Sequence, residues 1–155
     1  MKALKKLTVL LVLVLTSSLL VNCSSDGDGG SSSDTFYLKY KINGTLVEVS
    51  DPEVINSLSK SLTGFTTNGK SLTLYFPLDV ATGTYSITDE PSNVDAYGAS
   101  YSDFETEVAS DNETGTVTVT QVNADVIKGT FSFVGTNEGA TYTVTEGEFR
   151  AENIQ

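Results

Sequence analysis

Apolar and polar residues alternate along most of this chain with a period of two. Phe36, Leu38, Tyr40 and Ile42 fall at every second position, which is one face of a strand. Asn43-Gly44 follows, a pair suited to a two-residue type I′ turn because both residues tolerate positive φ. That turn sets Ile42 against Thr45, Tyr40 against Val47 and Leu38 against Val49, so the two strands present apolar side chains on a common face. A second hairpin is predicted around Asn68-Gly69, joining 62–66 to 71–76. There Leu72, Leu74 and Phe76 alternate, and Pro77 ends the strand. Between the hairpins, Asp51-Pro52-Glu53 reads either as the start of a short helix through Val54, Ile55 and Leu58 or as a loop, since serines at 57, 59 and 61 are poor helix formers.

Beyond residue 80 the same period continues. Thr82-Gly83 turns the chain into a short strand carrying Tyr85 and Ile87. The stretch 88–112 is the least regular, with Tyr97, Ala99 and Tyr101 predicted on one face of a strand and Phe104 beyond it. The segment 115–122 alternates Thr and Val and puts Val117, Val119 and Gln121 together. Asn123-Ala124-Asp125 and Asn137-Glu138-Gly139 then divide the C-terminal third into two more strands, with Ile127, Phe131 and Phe133 in one and Tyr142, Val144 and Phe149 in the other as core candidates. No long amphipathic helix is predicted. Hairpins followed by a C-terminal meander make an all-β, antiparallel fold, and a β-sandwich is preferred over the alternative of a small β-barrel.

The N-terminus breaks the pattern. Lys2, Lys5 and Lys6 precede an apolar run over 7–15 interrupted by Thr8, the charged head and hydrophobic core of a signal peptide. The run ends in Leu20-Val21-Asn22-Cys23, which resembles the bacterial lipobox, with Asn22 where Gly, Ala or Ser is usual. The resemblance implies cleavage before Cys23, a diacylglycerol on its thiol, and a lipid anchor in the cell envelope. Residues 1–22 are then the signal peptide, 23–34 the lipidated cysteine with a flexible Ser/Gly/Asp tether, and 35–155 a single β-domain. Eleven such residues reach on the order of 20 Å. Asp26 and Asp28 also resemble the acidic export signal of surface-displayed Bacteroidetes lipoproteins. The same Asp-Gly-Asp-Gly run could open a Ca²⁺ loop, but the later bidentate carboxylate that such a loop needs is missing.

Charge sharpens this picture. The chain has 9 Lys+Arg and 20 Asp+Glu, a net charge of −11, and loss of the three leader lysines leaves six bases against twenty acids, or −14. Such a surface repels phosphate backbones, so nucleic acid is not an expected partner. There is one cysteine, no histidine and no tryptophan. Histidine-based triads and ordinary zinc sites are therefore excluded, as is an intrachain disulfide. Paired carboxylates for glycoside hydrolysis are the one catalytic apparatus that the composition allows. Two constellations stand out as site candidates. Asp103, Glu105 and Glu107, if on one strand over 102–108, project from a single face, where Asp95 or Asp111 could complete a Ca²⁺ site; no other cofactor is expected. Tyr97 and Tyr101 are candidate aromatic platforms for a glycan.

The run Gly129-Thr130-Phe131-Ser132-Phe133, followed by Asn137, Gly139 and Glu146-Gly147-Glu148-Phe149, is similar to a "GTFSF … N … G … EGEF" pattern in uncharacterised Bacteroidetes lipoproteins. The likeness spans about the last 45 residues of the sequence. It implies an outer-membrane, surface-exposed lipoprotein with an all-β domain, and carries over no assigned activity. The expectation is thus a non-enzymatic binding or adhesion domain, held to the membrane by acyl chains on Cys23, with a glycan or protein partner. A carbohydrate-binding accessory or carboxylate-based glycan-processing protein is the alternative.

Overall fold

The computed structural model describes residues 35–88 and 94–154; residues 1–34, where the expected signal peptide, lipobox, lipidated Cys23 and tether fall, and the acidic pair Asp89-Glu90 lie outside the described residues. All regular structure among the described residues is β, in eleven strands. β1 (Tyr37–Ile42) and β2 (Thr45–Ser50) form the first hairpin. Asn43 (φ 48°) and Gly44 (φ 82°) make its turn, and Ile42, Tyr40 and Leu38 face Thr45, Val47 and Val49 as expected. β4 (Lys60–Phe65) and β5 (Lys70–Phe76) form the second hairpin, with Leu62 opposite Leu74. β6 (Gly83–Ile87), β7 (Gly98–Asp103) and the two-residue β8 (Val108–Ala109) follow. β9 (Asp111–Val122), β10 (Val126–Asn137) and β11 (Ala140–Glu152) make the long C-terminal meander.

The segment read as a helix or loop is instead β3 (Glu53–Asn56), an edge strand paired with β4 through Val54 and Leu62. Asp51 at φ 50° and the buried Pro52 redirect the chain there. An Asp-Pro pair looks alike before a helix and before an edge strand, and only pairing with β4 decides between them.

Two antiparallel sheets result. One has the order β2-β1-β11-β10-β9-β6, the other β3-β4-β5-β7-β8, and they do not close into a barrel. This is a β-sandwich. Inward residues from both sheets make one core, with Leu38, Tyr40, Leu72 and Phe149 fully buried. Each such apolar side chain withdrawn from water contributes about 1.5–3 kcal/mol.

Two bulges set which residues face that core. In β9 the pairing steps from Gln121–Lys128 to Val119–Gly129, leaving Thr120 as the extra residue, its hydroxyl donating to the Lys128 carbonyl (3.2 Å). The step turns Gln121 outward, against the expected grouping with Val117 and Val119, and brings Val122 onto the core. In β11 the extra residue lies at Thr145–Glu146, with Glu146 at φ 50°, so the inward set shifts from Val144 to Phe149 and Ala151.

The GTFSF…EGEF run has a mechanical meaning in this fold. Gly129 pairs with Phe149 and Phe131 with Gly147 across β10 and β11. A Cβ at Gly129 would meet the Phe149 ring at 2.8 Å and the Thr118 carbonyl at 2.1 Å; one at Gly147 would meet the Phe131 ring at 2.7 Å. Each phenylalanine lies over its neighbour's glycine, so the motif is a packing interlock and not a chemical site.

Candidate ligand cleft

The sandwich is open at one end and sealed at the other. The open end gathers the Asn43-Gly44 turn, the β4–β5 turn, the end of β7 and the beginning of β11 around a cleft of about 320 Å³. It falls in the lower range of small-molecule pockets. Sequence alone pointed to neither Lys70, Tyr40 nor Tyr142, which define it. The two Asn-Gly turns were legible, but their convergence depends on which strands pair.

The floor is aromatic. Tyr40 is fully buried and its hydroxyl has no hydrogen-bond partner among the described residues. Burial, and secondarily Tyr101, pushes its ionisation well above the ordinary phenol range, so it stays neutral as both a donor and an acceptor. A buried hydroxyl without a partner costs about 1–3 kcal/mol. Tyr101 and Tyr142 stand beside it with ring centroids 5.4 Å apart. Burial raises the Tyr101 ionisation too, against the opposing effect of Lys70.

The polar wall is an ion pair. Lys70 Nζ donates to Asp103 Oδ2 at 2.7 Å, and the Glu105 amide donates to Asp103 Oδ1 at 3.1 Å. The hydrogen bond from Lys70 holds the Asp103 carboxyl below its usual range, and the same bond raises Lys70. Both groups are thus charged at neutral pH. The turn that presents Lys70 is braced by Thr66, whose hydroxyl accepts from the Lys70 amide (3.0 Å) and donates to Asn68 Oδ1 (2.6 Å). Asn43 is fixed on the opposite side, its Oδ1 accepting from the Thr143 amide at 2.9 Å. Hydrogen bonds thus hold the turns on both sides of the cleft.

The candidates picked from sequence are redistributed. The Asp103-Glu105-Glu107 ladder does not exist: β7 ends at Asp103, and Glu105 and Glu107 lie exposed in the turn before β8, with Glu107 at φ 56°. Among the described residues no group of three acidic side chains is placed to hold a metal ion. Tyr97 and Tyr101 are 8% and 3% exposed, so neither is an open platform. They also part company, since four residues of strand span about 13 Å. Tyr101 enters the cleft wall, whereas Tyr97 stacks on Tyr85 (3.9 Å between centroids, 7° apart) and meets Phe76 edge-on. A strand that alternates cleanly buries its tyrosines, which is why the pattern that placed them on one face also hid them.

Fold and cleft together define a two-sheet antiparallel sandwich with a preformed polar-aromatic pocket at one pole. The chain belongs to the family described as "Domain of unknown function (DUF6252)", which covers residues 53–151. No curated protein and no solved structure matches it. The family span includes Lys70, Tyr101, Asp103 and Tyr142, while Tyr40 and Asn43 come from the β1–β2 hairpin that precedes it.

Proposed function

We propose that this is a lipid-anchored, surface-displayed envelope lipoprotein of the Bacteroidetes type, whose β-domain binds a small ligand in the end cleft without catalysing a reaction. The observation that carries the binding reading is the Lys70–Asp103 ion pair set beside the rings of Tyr101 and Tyr142 in a 320 Å³ cleft. Among the described residues Asp103 is the one carboxylate lining the cleft, and a lysine holds it ionised, whereas glycoside hydrolysis uses two acids with one pKa raised. This supports binding over catalysis. Anchoring rests on Leu20-Val21-Asn22-Cys23 and the polar tether behind it.

Two arms test the proposal. A thermal-shift screen of a chemically diverse small-molecule set on the full-length protein should give compounds that stabilise the wild type and lose that effect in Lys70→Met; a set without such compounds defeats the cleft reading. Cys23→Ser should move the protein from the membrane fraction to the soluble fraction, and protease added to intact cells should degrade the wild type. A Cys23→Ser protein that stays in the membrane fraction, or a wild type protected until lysis, defeats anchoring or display respectively.

A further inference from the structure

The cleft's chemistry narrows the ligand, on the footing that the cleft is the binding site. Lys70 and Asp103 already satisfy each other's charge at 2.7 Å. A carboxylate or ammonium on the ligand would have to split that pair. A hydroxyl does not, because the ammonium has three donors and the carboxylate about four acceptor sites, of which few are used. A donor beside an acceptor is the match for two adjacent hydroxyls, each of which donates and accepts. Anions meet a further obstacle, since the one cation lining the cleft among the described residues is neutralised and the chain carries a net charge of −11. Around these lie the tyrosine rings and the apolar flanks of Ile42 and Val47, suited to C–H faces and unsuited to a fully hydrated ion.

We propose that the end cleft is a saccharide site, taking a neutral sugar whose vicinal hydroxyls bridge Lys70 and Asp103, with the ring seated against Tyr101 and Tyr142. The small volume fits a terminal residue or short unit rather than a long chain threaded through.

The test titrates the full-length protein in detergent solution with glucose, galactose, N-acetylglucosamine and cellobiose, followed by saturation-transfer NMR. Glucuronate, glucosamine and glycine serve as charged and zwitterionic comparators. At least one neutral sugar should bind, with each comparator weaker. Lys70→Met and Asp103→Asn should each lower its affinity about tenfold or more. Tyr40→Phe, which removes a hydroxyl closed off beneath the cleft, should leave that affinity unchanged, and a large loss would mean that the sugar sits deeper than the ion pair. A wild type that binds none of the sugars overturns the saccharide assignment. If a comparator binds instead and depends on Lys70, the cleft stands and the ligand class falls. A sugar whose affinity is unchanged in both Lys70→Met and Asp103→Asn removes the cleft itself.

Discussion

The two poles of the sandwich use the same residue type to opposite ends. Both ends of the β4–β5 hairpin carry a lysine. At the sealed pole Lys60, 4% exposed, donates to Asn153 Oδ1 at 2.6 Å, and the surrounding void is about 10 Å³. The C-terminal residues complete the seal, with Asn56 Nδ2 donating to the Ile154 carbonyl (3.1 Å) and the Asn153 amide to the Asp125 carbonyl (2.9 Å). At the open pole Lys70 meets a carboxylate beside a 320 Å³ cleft, and the nearby Tyr40 hydroxyl goes unmatched. One pole spends its polar groups on closing the fold. The other pairs its lysine with a carboxylate beside an open cleft, a difference that no motif announces.

The contrast makes graded predictions. Asn153→Leu strips Lys60 of its acceptor and leaves a buried ammonium alone, so urea unfolding should show a loss of about 3 kcal/mol. A loss below about 1 kcal/mol would mean that the sealed pole is not closed by this contact. Tyr40→Phe should act with the opposite sign. Removing a hydroxyl that nothing satisfies should stabilise the apo protein by about 1 kcal/mol, read as a rise in urea midpoint at unchanged slope. A drop would show that the hydroxyl is satisfied in the free protein.

Smaller effects appear against pH. Lys60 is pushed down by burial, so the unfolded chain holds its proton longer and stability gains as pH rises toward the ordinary lysine value near about 10.4. Lys70 is raised, so its contribution is full below that value and is lost as pH climbs through its folded pKa. Urea titrations at pH 8–11 should therefore diverge in sign between Lys60→Met and Lys70→Met, and parallel curves would erase the distinction between the poles. On the acid side, the depressed Asp103 contributes above its unfolded pKa and loses that contribution below about pH 4. Asp103→Asn should flatten this part of the wild-type stability curve; an unchanged acid limb would detach Asp103 from Lys70.

Local chemistry was readable where it decided the structure. Asn43-Gly44 specified both turn and register because its two positive φ values and the flanking alternation agree. The burial of Phe131 and Phe133 followed from the same period, whereas Phe149 shares the core with Val144 only because the Thr145–Glu146 bulge resets the face. The errors arose where distant pairing overrides local pattern. Thr120 slips out of register against Lys128 and takes Gln121 with it, which no run of alternating Thr and Val announces. The acidic ladder failed because β7 stops at Asp103, whose carboxylate caps the turn through the Glu105 amide instead of continuing the strand. The cleft was the least legible of all. Its residues sit at positions 40, 70, 101, 103 and 142 and meet only through sheet order.

The course of β1 has a consequence for force. The chain enters the domain at the sealed pole, where Tyr37 pairs with Arg150, and runs to the Asn43-Gly44 turn at the cleft. A leash pulling on the start of β1 while a ligand holds the cleft would load that strand along its length. Its hydrogen bonds to β2 on one side and β11 on the other lie across the pull. They would shear together instead of peeling one by one, so β1 resists a pull along its own length better than a pull across it.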